Sequence, residues 1–260
     1  MKRDLKNILS GLSVLFIASL ASAQLHDGDI IVGLQDNQIV TGVPGDGGEP
    51  DFGERVFATA FSDFLPNWTD MPGYDSVADT WQPGTQIGLD IQAALRVWDD
   101  VNDDFLQIPE ERLTVSKGGE SITTPLSDAV VPGFVFGSAN SSGKIHEHVG
   151  YELLAPMDDG IYLLQLTLWS TEPTIEESSP FWILFNKNEE QQTLEDAGQW
   201  VRDNLLGVPG DLTGDGCVDQ QDLGILLAAY ELTGEGDVDG DGDTDQGDLG
   251  ILLANYDNCD

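Results

Sequence analysis

The chain has 260 residues, with 47 Asp and Glu against 10 Lys and Arg and a formal net charge of −37. That balance argues against nucleic-acid binding, which needs clustered Lys and Arg on phosphates, and against polybasic attachment to a membrane surface. Hydrophobic residues make up 40% of the chain, enough to bury a core, and the length suits one or two domains.

The first 23 residues have the pattern of a signal peptide. Lys2, Arg3 and Lys6 precede an apolar run from Ile8 to Leu20, and Ala21-Ser22-Ala23 offers a small-x-small cleavage site. Cleavage near Ala23 places the protein in a secreted or extracytoplasmic compartment. The apolar run is too short for a membrane anchor, and no later segment reaches spanning length, so no membrane insertion is expected. Removing this leader leaves 46 acids against 7 bases.

Residues 24–187 are predicted to form an all-β, β-sandwich-like module. Ile87, Leu89, Ile91, Ala93, Leu95 and Val97 alternate with mostly polar residues, the period of a half-buried strand. Ile161 to Trp169 is nearly continuous apolar, with Tyr162, Leu164, Leu166 and Leu168 on one face, and Phe181 to Phe185 is a second aromatic-rich strand. Turn residues such as Pro44-Gly45-Asp46-Gly47-Gly48 and Pro132-Gly133 punctuate these runs. Residues 188–210 read as a helix and linker. Thr193 and Asp196 have capping-box spacing, Leu194, Ala197, Val201 and Leu205 share a helical face, and Gly207 is placed to end the helix.

Residues 211–260 hold an internal repeat. Asp222-Leu-Gly-Ile-Leu-Leu-Ala-Ala-Tyr230 returns 26 residues later as Asp248-Leu-Gly-Ile-Leu-Leu-Ala-Asn-Tyr256. An acidic loop precedes each copy. In the first, Asp211, Thr213, Asp215, Asp219 and Asp222 fall at positions 1, 3, 5, 9 and 12. In the second, Asp237, Asp239, Asp241, Asp245 and Asp248 do. Gly216 and Gly242 stand at position 6, where the loop turns sharply, and Cys217 and Asp243 at position 7, where a backbone carbonyl serves as ligand. This is EF-hand spacing with Asp in place of Glu at position 12. Calcium takes about 6–8 oxygen ligands, and without a cation the clustered carboxylates repel one another. Two calcium ions are expected, with folding coupled to their binding.

A calcium loop followed by a single Leu-rich helix, duplicated, resembles the type I dockerin module over residues 210–257. The resemblance implies two bound calcium ions and docking onto a cohesin-like domain, often within polysaccharide-degrading assemblies. Family members often carry Ser-Thr at positions 10 and 11, where this chain has Gln220-Gln221 and Gln246-Gly247. An antiparallel pair of loop-helix units brings the first loop near the end of the second helix, which suits a Cys217–Cys259 disulfide in an exported protein.

The chain has three histidines, His26, His146 and His148. On a strand, His146 and His148 share a face while Ile145, Val149, Tyr151 and Leu153 occupy the opposite, buried one. The imidazole pair is a candidate transition-metal site, for zinc above all, with His26 or Glu152 as third ligand. A free amino terminus at Gln24 would also put His26 third, an arrangement that binds Cu(II). His26-Asp-Gly-Asp-Ile30, Ile145-His-Glu-His148 and Ser179-Pro-Phe-Trp-Ile-Leu-Phe-Asn186 are similar to stretches in secreted bacterial PEP-CTERM-type proteins under zinc-repressor control, which implies a link to zinc.

No Gly-x-Ser-x-Gly, phosphate-binding glycine loop or His-Glu-x-x-His occurs. The leading expectation is a non-catalytic protein, with a ligand- or metal-binding β module attached to a partner through the calcium module. A glycoside hydrolase or carbohydrate-binding component and a zinc-handling protein are the alternatives; Trp68, Trp81, Trp98 and Trp169 have rings that can stack on sugars, but core packing is the preferred reading of them. The cluster Asp99, Asp100, Asp103 and Asp104 reads as a solvated loop.

Overall fold

The computed structural model describes residues 28–45, 49–61, 65–213, 217–238 and 243–257. The predicted signal peptide lies outside them. In chain order the elements are β1 (Ile30–Gln35), β2 (Gln38–Pro44), β3 (Pro50–Phe52), β4 (Val56–Ala60), β5 (Trp68–Thr69), β6 (Tyr74–Asp75), β7 (Gln86–Ile91), β8 (Arg96–Asp99), β9 (Asp104–Gln107) and β10 (Leu113–Lys117). There follow β11 (Glu120–Thr123), β12 (Val131–Ser138), β13 (His146–Glu147), β14 (Gly150–Leu153), β15 (Gly160–Ser170), β16 (Phe181–Lys187), α1 (Gln191–Leu205), α2 (Gln220–Ala229) and α3 (Gln246–Ala254). The protein is mainly β, as its strand patterns predict.

The antiparallel β15–β16 pair organises the fold, with Tyr162 opposite Phe185 and Leu164 opposite Ile183. Side chains alternate across a strand, so the pair feeds two cores. Tyr162, Leu164, Leu166, Leu168, Phe181, Ile183 and Phe185 enter the larger one, which also takes residues from β1, β2, β7, β10 and β14. Ile161, Leu163, Trp182 and Leu184 point the other way, against Leu194, Ala197 and Val201 of α1. Burial on both faces is why these two strands read as nearly unbroken apolar runs. Their sheet runs β12-β7-β15-β16-β4, and sheets β13-β6-β1-β2-β3 and β11-β10-β14-β5 line the other side of the larger core.

The single strand expected from Ile87 to Val97 is two strands. β7 ends at Ile91, and β8 pairs with a different stretch of β15, Val97 standing opposite Tyr162. Between them Ala94 donates its N–H to Asp128 Oδ1 at 3.3 Å, outside any ladder. Ala94 and Leu95 stay buried through this corner, so the apolar pattern continues where the strand does not.

The helix α1 forms, but without the predicted capping box. It starts at Gln191 after Glu190, which makes no side-chain cap, and Asp196 instead accepts from Gln192 Nε2 at 2.9 Å. Leu194, Ala197 and Val201 are buried as expected, whereas Leu205 is 36% exposed at the helix end. Gly207 takes φ of +80° just past the helix. The Arg55 guanidinium donates to the Leu206 carbonyl at 2.9 Å, placing a cation on the negative end of the helix.

Candidate metal centres

The repeat folds as two matched loop-helix units. Asp219 and Asp245 at position 9 cap α2 and α3, accepting from Gln221 N and Gly247 N at 2.6 Å each. At position 12, Asp222 and Asp248 answer as capping boxes, accepting from Asp219 N and Asp245 N at 2.7 Å. Their second oxygens reach back to the loop starts. Asp222 Oδ1 accepts from Thr213 N at 2.9 Å, and Asp248 Oδ1 from Val238 N at 2.6 Å. Both carboxylates are fully buried. Burial pushes the Asp222 carboxyl up, but the N–H donors of Asp219 and Thr213 outweigh it and hold the group below the usual carboxylate range.

The two units are also clasped across each other. Glu231, after α2, donates its N–H to Thr244 O of the second loop, and Asp257, after α3, donates to Val218 O of the first, both at 2.8 Å. These residues are related by the 26-residue repeat. Gly210 and Gly236, one step before each loop, obey the same symmetry. A Cβ on Gly210 would meet Leu252 Cα at 2.9 Å, and one on Gly236 would meet Leu226 Cα at 2.9 Å. Each loop start thus packs on the other unit's helix, around a small core of Val208, Val218, Leu226 and Leu252.

Among the predicted calcium ligands, Asp243, Asp245 and Asp248 present carboxylate oxygens within 4.8 Å of one another. Thr213 Oγ1 donates to Asp211 Oδ1 at 3.2 Å, drawing positions 1 and 3 together. Asp237 begins the second loop beside Val238. Cys217 is disulfide-bonded. Asp215, Asp239, Asp241 and Cys259 lie outside the described residues.

Each helix also carries apolar residues outward. Leu227 and Leu253, at the same repeat position, are 55% and 54% exposed, while their neighbours Leu226 and Leu252 are fully buried. Gly224, Ala228, Gly250 and Ala254 are exposed beside them. The repeated leucines were legible in the sequence, but which of each adjacent pair faces outward was not.

The histidine pair sits elsewhere, at one edge of the sheet β13-β6-β1. His146 lies opposite Asp75, and Ile30 opposite Tyr74. β13 covers only His146 and Glu147, so His148 lies just beyond it, yet the two rings stand 5.4 Å apart. Ile145, Val149, Tyr151 and Leu153 are buried. The third ligand expected at Glu152 is not delivered, because β14 pairs with β10 and β5 and places Glu152 opposite Thr114 and Trp68. Asp29 takes that place. Asp29, His146 and His148 present ligand atoms within 4.8 Å of one another. His26 lies outside the described residues.

Three of the four tryptophans and Asp99 are engaged within the β-rich module. Trp81 is buried, Trp98 packs edge-on against Phe105 and Trp200, and Trp169 donates to Asp90 Oδ1 at 2.8 Å. Asp99 accepts from Val101 N and Asn102 in the β8–β9 turn, and those bonds hold its carboxyl below the usual range.

No family model, no curated protein and no solved structure matches the chain.

Proposed function

We propose that residues 211–260 form a two-calcium, dockerin-like module that attaches the β-rich module to a cohesin-like protein domain. The observation that carries this reading is the repetition of one whole arrangement. A fully buried position-12 aspartate closes each loop, and an exposed leucine projects from each following helix, at Asp222 with Leu227 and at Asp248 with Leu253.

Residues 209–260 contain 14 acids and no Lys or Arg. Divalent cations held by oxygen ligands offset that charge, and the loop spacing provides the oxygens. The small core of this module leaves little else to hold it, so ion binding and folding are one process. With the ions in place, Leu227 and Leu253 extend an apolar, glycine-interrupted face over both helices, and faces of that kind are covered by partners. Asp257 N bonded to Val218 O sets the chain end beside the first loop, which supports Cys217 pairing with Cys259.

The test is binding of the full chain to immobilised cohesin domains. Binding in calcium, abolished by chelator and weakened at least about tenfold by Leu227→Asp/Leu253→Asp at unchanged calcium stoichiometry, is expected. Binding that ignores both chelator and the leucine variant, or no binding to any cohesin, contradicts it.

A further inference from the structure

We propose that Asp29, His146 and His148 form a second, chemically distinct metal site, a three-ligand site for Zn2+ with one coordination position open to water or an external ligand. The ligand set comes from two segments far apart in sequence and is brought together by β1, β6 and β13. Asp29 stands immediately before Ile30 of β1, and His146 is in β13, with Tyr74–Asp75 of β6 between them.

Three features aim these side chains at a common point. First, His148 Nδ1 lies 2.9 Å from the Asp70 carbonyl. A carbonyl oxygen only accepts, so Nδ1 is the donor in that bond and Nε2 is the nitrogen left to face a metal. That Nε2 faces Asp29 Oδ1 at 3.8 Å. Histidines that ligate metals are oriented by such a bond from the other ring nitrogen. Second, Asp29 is fixed by the Gly73 N–H, which donates to its Oδ1 at 3.2 Å. Its Oδ2 lies 3.8 Å from His146 Nδ1. Third, Gly73 is the floor of the site. A Cβ there would lie 2.6 Å from His148 Cε1 and 2.7 Å from Asp29 Oδ1, so the ring and the carboxylate occupy the space that any other residue would fill.

The second carboxylate nearby is already engaged. Asp75 pairs with Lys144 Nζ at 2.9 Å and reaches His146 Nδ1 at 3.3 Å. His146 Nδ1 is also the nitrogen that faces Asp29, so zinc bound there takes the place of this contact.

The chemistry selects the ion. Two imidazoles and one carboxylate are a borderline donor set, suited to zinc at about 2.0–2.1 Å, whereas calcium takes oxygen at about 2.3–2.6 Å. Tetrahedral bonds of that length put donor atoms about 3.4 Å apart, so ligand atoms that lie within 4.8 Å of one another draw together by up to about 1.4 Å around the ion. Three protein ligands with the His146 side chain 56% exposed leave the fourth position open, as in zinc sites that bind water or substrate rather than purely structural ones.

The experiment is calorimetric titration of the calcium-saturated full chain with Zn2+, with Co2+ absorption as a readout of geometry. Wild type is expected to bind one zinc that excess calcium does not displace, and its cobalt form to absorb as a tetrahedral complex. His146→Ala/His148→Ala should lose that equivalent. Gly73→Ala should lower affinity about 10–100-fold although all three ligands remain. Asp29→Asn should weaken zinc with no change in calcium stoichiometry. Thermal unfolding of each calcium-loaded variant identifies any that fail to fold, and Asp29→Asn is close enough in shape to carry the test alone. Equal zinc affinity in Asp29→Asn and wild type, or zinc displaced by calcium, would overturn the site.

Discussion

The β-rich module and the repeat module solve the same problem with different physics. In the first, Leu164, Leu184, Ile183 and Phe185 are fully buried along two long strands, and the stabilising term is apolar burial between distant segments. In the second, two of the residues buried at 0% exposure are Asp222 and Asp248, and the apolar core is a handful of side chains. Where a fold buries carboxylates at the centre of an acidic chain, the proposed cations would supply stability that so small an apolar core does not. The contrast predicts a protein whose two parts fail separately: the β module to truncated apolar side chains, the repeat module to anything that disturbs the ions, the cross-clasp or the disulfide.

The largest single-residue effect is expected at Asp248→Ala. It removes a buried carboxylate, the proposed position-12 calcium ligand, and takes away the acceptor of the Val238 and Asp245 N–H groups. Calorimetry should show calcium stoichiometry falling from two to one, with loss of about 3–5 kcal/mol from the repeat module. Next is Cys217→Ser. A bridge to Cys259 closing a loop of this length contributes about 4 kcal/mol by chain entropy, so denaturant unfolding of the repeat module alone should shift. In the β module, Leu184→Ala opens a cavity between β16 and α1 and should cost about 2–5 kcal/mol, with no change when calcium is removed. Gly236→Ala is milder, about 1–3 kcal/mol, because its Cβ would press on Thr244 and on the α2 backbone at Leu226. It should lower calcium affinity while leaving every ligand intact. Smallest is Asp128→Asn, which breaks the half-exposed pair with Arg96 and should move the urea midpoint by less than about 1 kcal/mol equivalent.

Sequence reading reached what is local or periodic. The strands β15 and β16 announced themselves by apolar runs, and α2 and α3 by their repeated leucines and loop spacing. It missed what depends on distant pairing. The corner after Ile91 was invisible because Ala94 and Leu95 remain buried while the ladder partner changes. Thr193 and Asp196 had the spacing of a cap, but Asp196 was taken by Gln192, one turn earlier. Asp29 stood in plain sight within His26-Asp-Gly-Asp-Ile30, yet only the parallel pairing of β1 with the two-residue β6, and of β6 with β13, brings it to the histidines. Two-residue strands carry no period to read. Gly210 and Gly236 stand 26 residues apart at one repeat position, but the helix that each touches belongs to the other unit, and that is a fact of assembly.

The most direct measurement of the central claim is hydrogen exchange of the full chain, resolved by segment, with calcium and after chelation. Amides of α2 and α3 are expected to lose protection on chelation and regain it when about two calcium ions are returned, while β15 and β16 keep theirs throughout. Protection in both helices that survives complete removal of calcium would contradict the claim.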